Sequence, residues 1–410
     1  MTHRVVVTGL GTVSPVGHTV EETWTNIVNG VSGVGPITQF DTTNFQVKVA
    51  CEVKNFDPAK YMDAKEARRR DRYQQLAAAA SQEALKQSGL QISDENAHRV
   101  AVIVSSAVGG LRTIETAVRT LVESGPRRIS PFAIPMLMSN GAGGLIAIDT
   151  GAKGPNFSVA SACASGADGI GAAWTLIRNG AADAAITGAS EATIVDTGVG
   201  AFDRVGAMTH RTEGVPQPFD KERDGLVMGE GSAILILESL ERAQARGAEI
   251  LAELAGYAAT ADAFHITAPA EDGGSGAMAM RNALDAAQLN PEDLDYINAH
   301  GTATPLNDAS ETVAIKRALG PQAYQIPISS TKSMTGHMMG ATGALEAIFC
   351  VQAIRTGALP PTINYRTPDP ACDLDYVPNT ARQAKVDVAM SNAFGFGGHN
   401  AVLVIKRFTG

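Results

Sequence analysis

Three side chains in this sequence have types and settings that suit covalent chemistry: Cys163, His300 and His337. Cys163 lies in Ser158-Val-Ala-Ser-Ala-Cys163-Ala-Ser-Gly166-Ala-Asp-Gly-Ile-Gly171. A short β-favouring run, Phe157 to Val159, passes through small residues into an Ala/Gly stretch of helix length. That stretch continues through Trp174, Leu176 and Ile177 to Gly180. The pattern predicts strand, sharp turn and helix, with Cys163 at the helix start. Unpaired N–H groups and the positive end of the macrodipole there lower a thiol's pKa from its ordinary value of about 8.5. Ala162, Ala164, Ser165 and Gly166 leave room for a thioester to approach. A free cysteine more often packs as a small hydrophobe, so this stretch alone leaves both roles open.

Three further segments put polar residues in costly places. Ile297-Asn-Ala-His300-Gly-Thr302-Ala-Thr304 ends an apolar strand on a histidine with hydroxyls just beyond. Ser330-Thr-Lys332-Ser-Met-Thr-Gly336-His337 adds a lysine and a second histidine, and Glu346 follows on the ensuing helix. Ser391-Asn-Ala-Phe394-Gly-Phe396-Gly-Gly398-His399-Asn400 places two aromatics in a glycine loop between strands. One strand-end histidine is usually structural; two, each in a small-residue turn and paired with a helix-start cysteine, point to a site. A thiolate accepts acyl groups from thioesters. Two imidazole N–H donors can hold a carbonyl oxygen as negative charge grows on it. That set suits making an enolate, for instance by decarboxylation, which needs no base. A Cys-His hydrolase would need one histidine and an orienting Asn or Asp.

Composition narrows the class. A length of 410 residues allows two or three domains, and 44% hydrophobic with 18% charged residues is ordinary for a protein with a large core. A net charge of −9 argues against a general nucleic-acid partner. The four cysteines, Cys51, Cys163, Cys350 and Cys372, show no metal-ligand spacing, so no metal is expected. They are also too few for a disulfide scaffold, which fits a reducing cytoplasm. The N-terminus reads as a strand rather than a signal peptide, and no apolar run approaches the ~18 residues of a membrane span. A soluble protein without a membrane partner is expected.

The elements that must position these residues alternate between strand and helix. Strands are expected over Arg4–Thr8 (feeding a turn at Gly9-Leu10-Gly11), Gln46–Val53, Val100–Ser105, Asp183–Thr187, Ser232–Leu237, Leu294–Asn298 and Gln325–Ser329. Thr19-Val-Glu-Glu22 has capping-box spacing, and one long helix is expected from Ala64 to Ser88, closed by Gly89. Arg204 to Asp224 reads as a polar surface excursion. Residues 131–140, apolar and broken by prolines, suit a pocket wall, a subunit interface or a core loop. The fold class is therefore α/β with largely buried sheets. Gly166-Ala-Asp-Gly-Ile-Gly-Ala-Ala173 aligns without gaps on Gly340-Ala-Thr-Gly-Ala-Leu-Glu-Ala347, which sets Cys163 on His337; Asp183–Ala189 likewise resembles Asp387–Ala393. These matches suggest duplicated halves, 1–248 carrying the cysteine and 249–410 carrying the histidines. Lys65, Arg68, Arg69, Arg70 and Arg72 put five positive charges into eight residues of an acidic chain. The cluster is either a solvated helix face or a docking site for an acidic partner.

The cysteine stretch, the His300-Gly-Thr-Ala-Thr run, the Lys332…Gly-His337 run and the Phe-Gly-Phe-Gly-Gly loop resemble those of type II β-ketoacyl-[acyl-carrier-protein] synthases, nearly end to end. The resemblance implies a thiolase-like αβαβα fold from two duplicated halves, usually a homodimer. It implies an acyltransferase that condenses acyl and malonyl thioesters in fatty-acid elongation. Cys163 would take the acyl chain, and His300 and His337 would bind the malonyl thioester carbonyl, with Lys332 and Glu346 tuning the site. Backbone N–H groups of Cys163 and Phe396 would form the oxyanion hole, and Phe396 would gate the acyl pocket. Thr302 and Thr304 would hold a phosphopantetheine arm that arrives on the carrier protein, so no cofactor of the enzyme's own is expected. Lys65, Arg68 and Arg69 would dock the acidic acyl carrier protein, and Val108, Phe132 and Ala133 would line the acyl pocket. Val108 and Ala133 replace bulkier residues of some relatives, Gly206 stands where a basic docking residue can occur, and Ala303 replaces Gly or Ser, a change expected to be harmless. A polyketide ketosynthase shares all these motifs. A non-catalytic chain-length-factor subunit lacks the cysteine, a thiolase would want a second cysteine near Phe396, and a type III starter synthase would have Asn at position 337. A cysteine thioesterase would release free acid.

Overall fold

The computed structural model describes residues 2–211 and 214–410. Nine strands form one continuous ladder: β1 (Val5–Val13), β2 (Val100–Ser105), β3 (Ala184–Glu191), β4 (Gly231–Ser239), β5 (Ala252–Ala261), β6 (Tyr296–Asn298), β7 (Ile328–Ser329), β8 (Val388–Gly395) and β9 (His399–Lys406). Their spatial order is β2-β3-β4-β1-β5-β9-β8-β6-β7. The order and sense repeat about the centre. β2 and β8 pair in parallel with β3 and β6 respectively, while β3–β4, β4–β1, β8–β9 and β9–β5 are antiparallel. The two sets meet only where Val6 and Val7 of β1 pair with Glu253 and Ala252 of β5.

Six helices complete the layers: α1 (Arg72–Ser88), α2 (Leu111–Ser124), α3 (Ser165–Arg178), α4 (Gly274–Ala287), α5 (Pro305–Leu319) and α6 (Thr342–Thr356). α3 and α6 lie between the two sets of strands, and one apolar cluster there joins Ile170 and Trp174 to Phe349 and to residues of both sets. α1 covers the outer face of the first set, and α4 and α5 cover that of the second. The result is the five-layered αβαβα arrangement that the family resemblance implied.

Several elements differ from the sequence expectations. β1 runs on through Gly9 and Gly11 because α1 lies directly against it. A Cβ at Gly9 would sit 2.2 Å from the Ala84 carbonyl oxygen, and one at Gly11 2.0 Å from that of Ala80. Those glycines mark close packing, not a turn. Gln46–Val53 supplies only the two-residue strand Val49–Ala50. The long helix from Ala64 is two helices, Ala64–Ala67 and α1, because Asp71 and Gln74 form a capping box that starts α1 afresh. Thr19 caps its helix, but the Glu22 carboxylate accepts from the His18 N–H rather than from the cap's own. The excursion 204–224, whose residues 212 and 213 lie outside the described residues, is pinned by buried Phe219, stacked on Tyr376 at 3.9 Å.

The repeat is real in space but offset. α3 and α6 begin 177 residues apart, not the 174 of the gapless alignment (342 − 165 against 340 − 166). Gly166 abuts Ala344 and Gly343 abuts Ala167, a reciprocal contact with the larger spacing. Cys163 therefore corresponds to Gly340, and His337 lies three residues before that position.

Candidate active site

Cys163 occupies a one-turn 3-10 segment, Ala162–Ala164, immediately ahead of α3. Ala162 adopts φ 51°, a left-handed conformation that costs an L-residue roughly 1–2 kcal/mol. This strained elbow is held by its neighbours: the Ser161 N–H donates to Ser165 Oγ at 2.9 Å, and the Ser161 hydroxyl donates to the Asp168 carboxylate. The end of β8 presses against the elbow. A Cβ at Gly395 would lie 2.8 Å from the Ser161 carbonyl oxygen and 3.1 Å from the Cys163 nitrogen. That approach brings the Phe396 N–H near the Cys163 sulfur, where it and the residue's own N–H lower the thiol's pKa.

Electrostatics corrects one expectation. The thiol is pushed up to about 11 rather than down, because burial outweighs the lowering by the Phe396 N–H and the Lys332 charge. Cys163 rests as a thiol. Two donors and a cation stand ready to hold negative charge that develops there.

Both histidines reach the same place. His300 follows β6, and its backbone N–H and that of Gly301 donate to the Glu311 carboxylate of α5 at 2.8 and 2.7 Å. The His337 ring lies edge-on to that of His300, with centroids 5.4 Å apart. His337 Nδ1 is 3.0 Å from the Thr342 hydroxyl at the start of α6, and its Nε2 has no partner among the described residues. Burial, reinforced by the Lys332 charge, holds both imidazoles well below their ordinary pKa, so both are neutral near pH 7. Lys332 Nζ donates to Glu346 at 2.6 Å, with both side chains only 1% exposed. Burial pushes the Glu346 carboxyl up to about 8 against the pull of that lysine.

These groups open on a cleft of about 320 Å³ lined by Cys163, His300, His337, Thr302, Thr304 and Phe396. The hydroxyls of Thr302 and Thr304 are 2.9 Å apart. Phe396 stacks on Phe202 with centroids 6.3 Å apart. Gly206 lies at the cleft wall with open space around it. Ala303 is buried at φ 68°, so the replacement expected to be harmless carries backbone strain.

Other expected residues lie elsewhere. Val108, Phe132 and Ala133 do not line the Cys163 cleft within one chain. Val108 stands 37% exposed on the loop after β2, and Ala133 lines a separate groove with Arg68 and Arg70. Phe132 is held away by Arg69, whose guanidinium stacks 4.5 Å over its ring. Of the basic cluster, Lys65 and Arg68 are exposed and Arg69 is half-buried. Arg70 and Arg72 are committed to Asp149 and Glu230. The break before α1 also removes the cluster from the N-terminus of a single long helix. Glu311, Thr342 and the buried carboxylate of Glu191 had no signal in the sequence, since acidic or hydroxyl residues on ordinary elements are unremarked until a fold buries them.

Residues 2–243 match the model of the β-ketoacyl synthase N-terminal domain, and residues 251–366 that of the β-ketoacyl synthase C-terminal domain. The chain belongs to the β-ketoacyl synthase family. Relatives in this family include proteins named 3-oxoacyl-[acyl-carrier-protein] synthase 2. The one from Staphylococcus aureus (strain N315) is 50% identical over 407 residues, covering 99% of this chain and 98% of the relative. The one from Synechocystis sp. (strain ATCC 27184 / PCC 6803 / Kazusa) is 50% identical over 408 residues, with the same coverage. Among solved structures, a ketosynthase in complex with its type II polyketide acyl-carrier protein superposes with a TM-score of 0.93 at 36% identity over 100% of both chains. The ishigamide ketosynthase/chain length factor gives 0.94 at 38%, also over 100% of both.

Proposed function

We propose that this β-ketoacyl synthase is a 3-oxoacyl-[acyl-carrier-protein] synthase of the second type, acting in fatty-acid elongation. The observation that carries this reading is the convergence of one thiol, two backbone N–H groups and two neutral imidazoles on a single cleft. In the first half-reaction the Cys163 sulfur attacks an acyl thioester. The oxyanion forms against the N–H groups of Cys163 and Phe396, and collapse expels the carrier's pantetheine thiolate, which takes up the thiol proton. In the second, malonyl thioester binds with its carbonyl oxygen between His300 and His337. Loss of CO2 leaves an enolate whose charge the two imidazole N–H groups hold. The enolate carbon attacks the acyl-Cys163 carbonyl, the same oxyanion site is used again, and collapse breaks the C–S bond to give the 3-oxoacyl thioester and the Cys163 thiolate, which takes a proton from solvent to restore the thiol. Neutral imidazoles suit this step, because each must donate a proton's hydrogen bond without surrendering the proton. Lys332, paired with Glu346, supplies fixed positive potential beneath the site.

The acyl carrier protein is the partner that brings both substrates. Exposed Lys65 and Arg68, with Arg69, offer it positive charge, and Thr302 and Thr304 face the path of its pantetheine arm. The chain works as a homodimer. α2 buries only Thr113 and turns Val118, Leu121 and Val122 outward, with Ile134, Ile148 and Phe157 also uncovered. Val108 stands near that face, so a second copy completes its acyl pocket. Among the described residues no helix is long and apolar enough to cross a membrane, and four free cysteines suit the cytoplasm.

The test separates the half-reactions. His300→Ala and His337→Ala are expected to keep acyl-Cys163 formation while losing malonyl decarboxylation, measured as released CO2, by at least ~100-fold. Undiminished decarboxylation in both variants would overturn the reading.

A further inference from the structure

Glu191 ends β3 fully buried, and its carboxylate is hydrogen-bonded to the loop after β2 and to the segment after His337. Its carboxylate gathers donors from two separate segments. Oε1 accepts from the Ser106 hydroxyl at 2.7 Å and from the Val108 N–H at 3.4 Å, and Oε2 from the Ala107 N–H at 2.8 Å. Oε2 also accepts from the Gly340 N–H at 3.2 Å, three residues beyond His337. The junction has no slack: a Cβ at Gly340 would sit 2.7 Å from both Ala107 N and Glu191 Oε2. Ser106 in turn holds the Gly109 N–H at 2.8 Å. All four donors need an acceptor, which a carboxylate supplies and an amide supplies only in part.

We propose that Glu191 is a positioning residue of this site: its carboxylate ties the Val108 loop to the turn carrying His337, and its negative charge bears on the Cys163 thiol. The tether rests on the function proposed above; the effect on the thiol does not. The charged and titratable groups around Cys163 are Lys332 from the turn after β7, His300, His337, Asp262 and His399 from the cleft wall, Glu346 behind Lys332, and Glu191 beyond the cleft lining. Gly340, whose N–H the Glu191 carboxylate holds, abuts the Cys163 segment, a Cβ at Gly166 lying 2.7 Å from the Gly340 carbonyl oxygen; from there Glu191 opposes the thiolate that Lys332 favours. Burial pushes Glu191 itself up to about 7, so its charge is partly developed at neutral pH.

The experiment is the rate of Cys163 alkylation by iodoacetamide against pH, read by intact and peptide mass, for the wild type, Glu191→Gln and Ser106→Ala. Glu191→Gln removes the charge, and the alkylation midpoint is expected to fall by at least half a pH unit. Ser106→Ala keeps the charge and loses one tether. Its midpoint is expected to stay, while acyl transfer from carrier protein slows by threefold or more. A folded Glu191→Gln protein with an unchanged midpoint overturns the proposal. So does a Ser106→Ala midpoint displaced as far as that of Glu191→Gln, since loosening alone would then explain the shift. If Glu191→Gln does not fold, Ser106→Ala decides alone: unaltered acyl transfer overturns the tether. Failure of acyl transfer in the wild type would count against the proposed function and leave the midpoint comparison intact.

Discussion

At the scale of single residues, burial decides the chemistry. Cys163 has a helix start, two N–H groups and Lys332 in its favour, yet desolvation leaves it a thiol with a pKa of about 11. The two histidines are held neutral, and a depressed imidazole pKa means protonation occurs only well below 6.5. Decarboxylation is therefore expected to show no acid limb near pH 6.5, checked by CO2 release between pH 5.5 and 7.5. Glu191 carries the opposite sign. Its folded pKa of about 7 exceeds the ordinary carboxyl value of 4.5, so its contribution is fully present below pH 4.5 and is lost as pH rises through 7. The stability advantage of wild type over Glu191→Gln is expected to shrink by on the order of 3 kcal/mol between pH 4.5 and 8 in urea melts. Lys332 and Glu346 are a buried pair, and Lys332→Ala is expected to cost about 1–3 kcal/mol by the same measurement near pH 7, because it leaves a buried, largely protonated carboxyl without its hydrogen-bond partner.

At the scale of elements, the site is made by three chain segments forced into contact without side-chain padding. The Cys163 elbow, the end of β8 and the His337 turn meet through Gly395, Gly166 and Gly340. Gly395→Ala would thrust a methyl against the Ser161 carbonyl and the Cys163 nitrogen, moving the Phe396 N–H off the sulfur. Acyl transfer is expected to fall roughly 100-fold, since displacements near 1 Å at a reacting centre cost that much. Measured acylation within threefold of wild type would contradict this account of the oxyanion donors. The strand-to-helix pattern around Cys163 and the histidines at strand ends were legible because apolar runs and small-residue turns are local signals. Gly9 and Gly11 misled because glycine marks a turn and a close helix–strand contact equally well. The break at Asp71 was hidden because a helical pattern continues across it, and only the cap shows that the helix restarts.

At the scale of the whole molecule, the duplication explains why the cysteine and the histidines come from different halves. The central helices α3 and α6 cross with Gly166 on Ala344 and Gly343 on Ala167, which brings their two N-termini to one place. Repetition was visible in sequence, but Ala/Gly-rich segments align in several registers, and the three-residue shift needed the helix starts themselves. Val108, Phe132 and Ala133, expected from the family resemblance to line the acyl pocket, are not brought to the cleft by one chain. The homodimer proposed above would cover the apolar face of α2, where Val122 is 80% exposed. Val122→Glu should shift the protein towards monomer by light scattering and weaken transfer of long acyl chains more than short ones. An unchanged dimer would place the interface elsewhere.

The central claim is that Cys163 carries an acyl group and passes it to a carbanion made by decarboxylation. Intact-mass spectrometry of the protein after mixing with acyl-carrier protein, and again after adding malonyl-carrier protein, tests it most directly. The expected result is one acyl adduct on Cys163, absent in Cys163→Ala, that disappears as a 3-oxoacyl-carrier product two carbons longer is formed. An adduct released as free acid, or none with short, medium or long donors, would contradict the account.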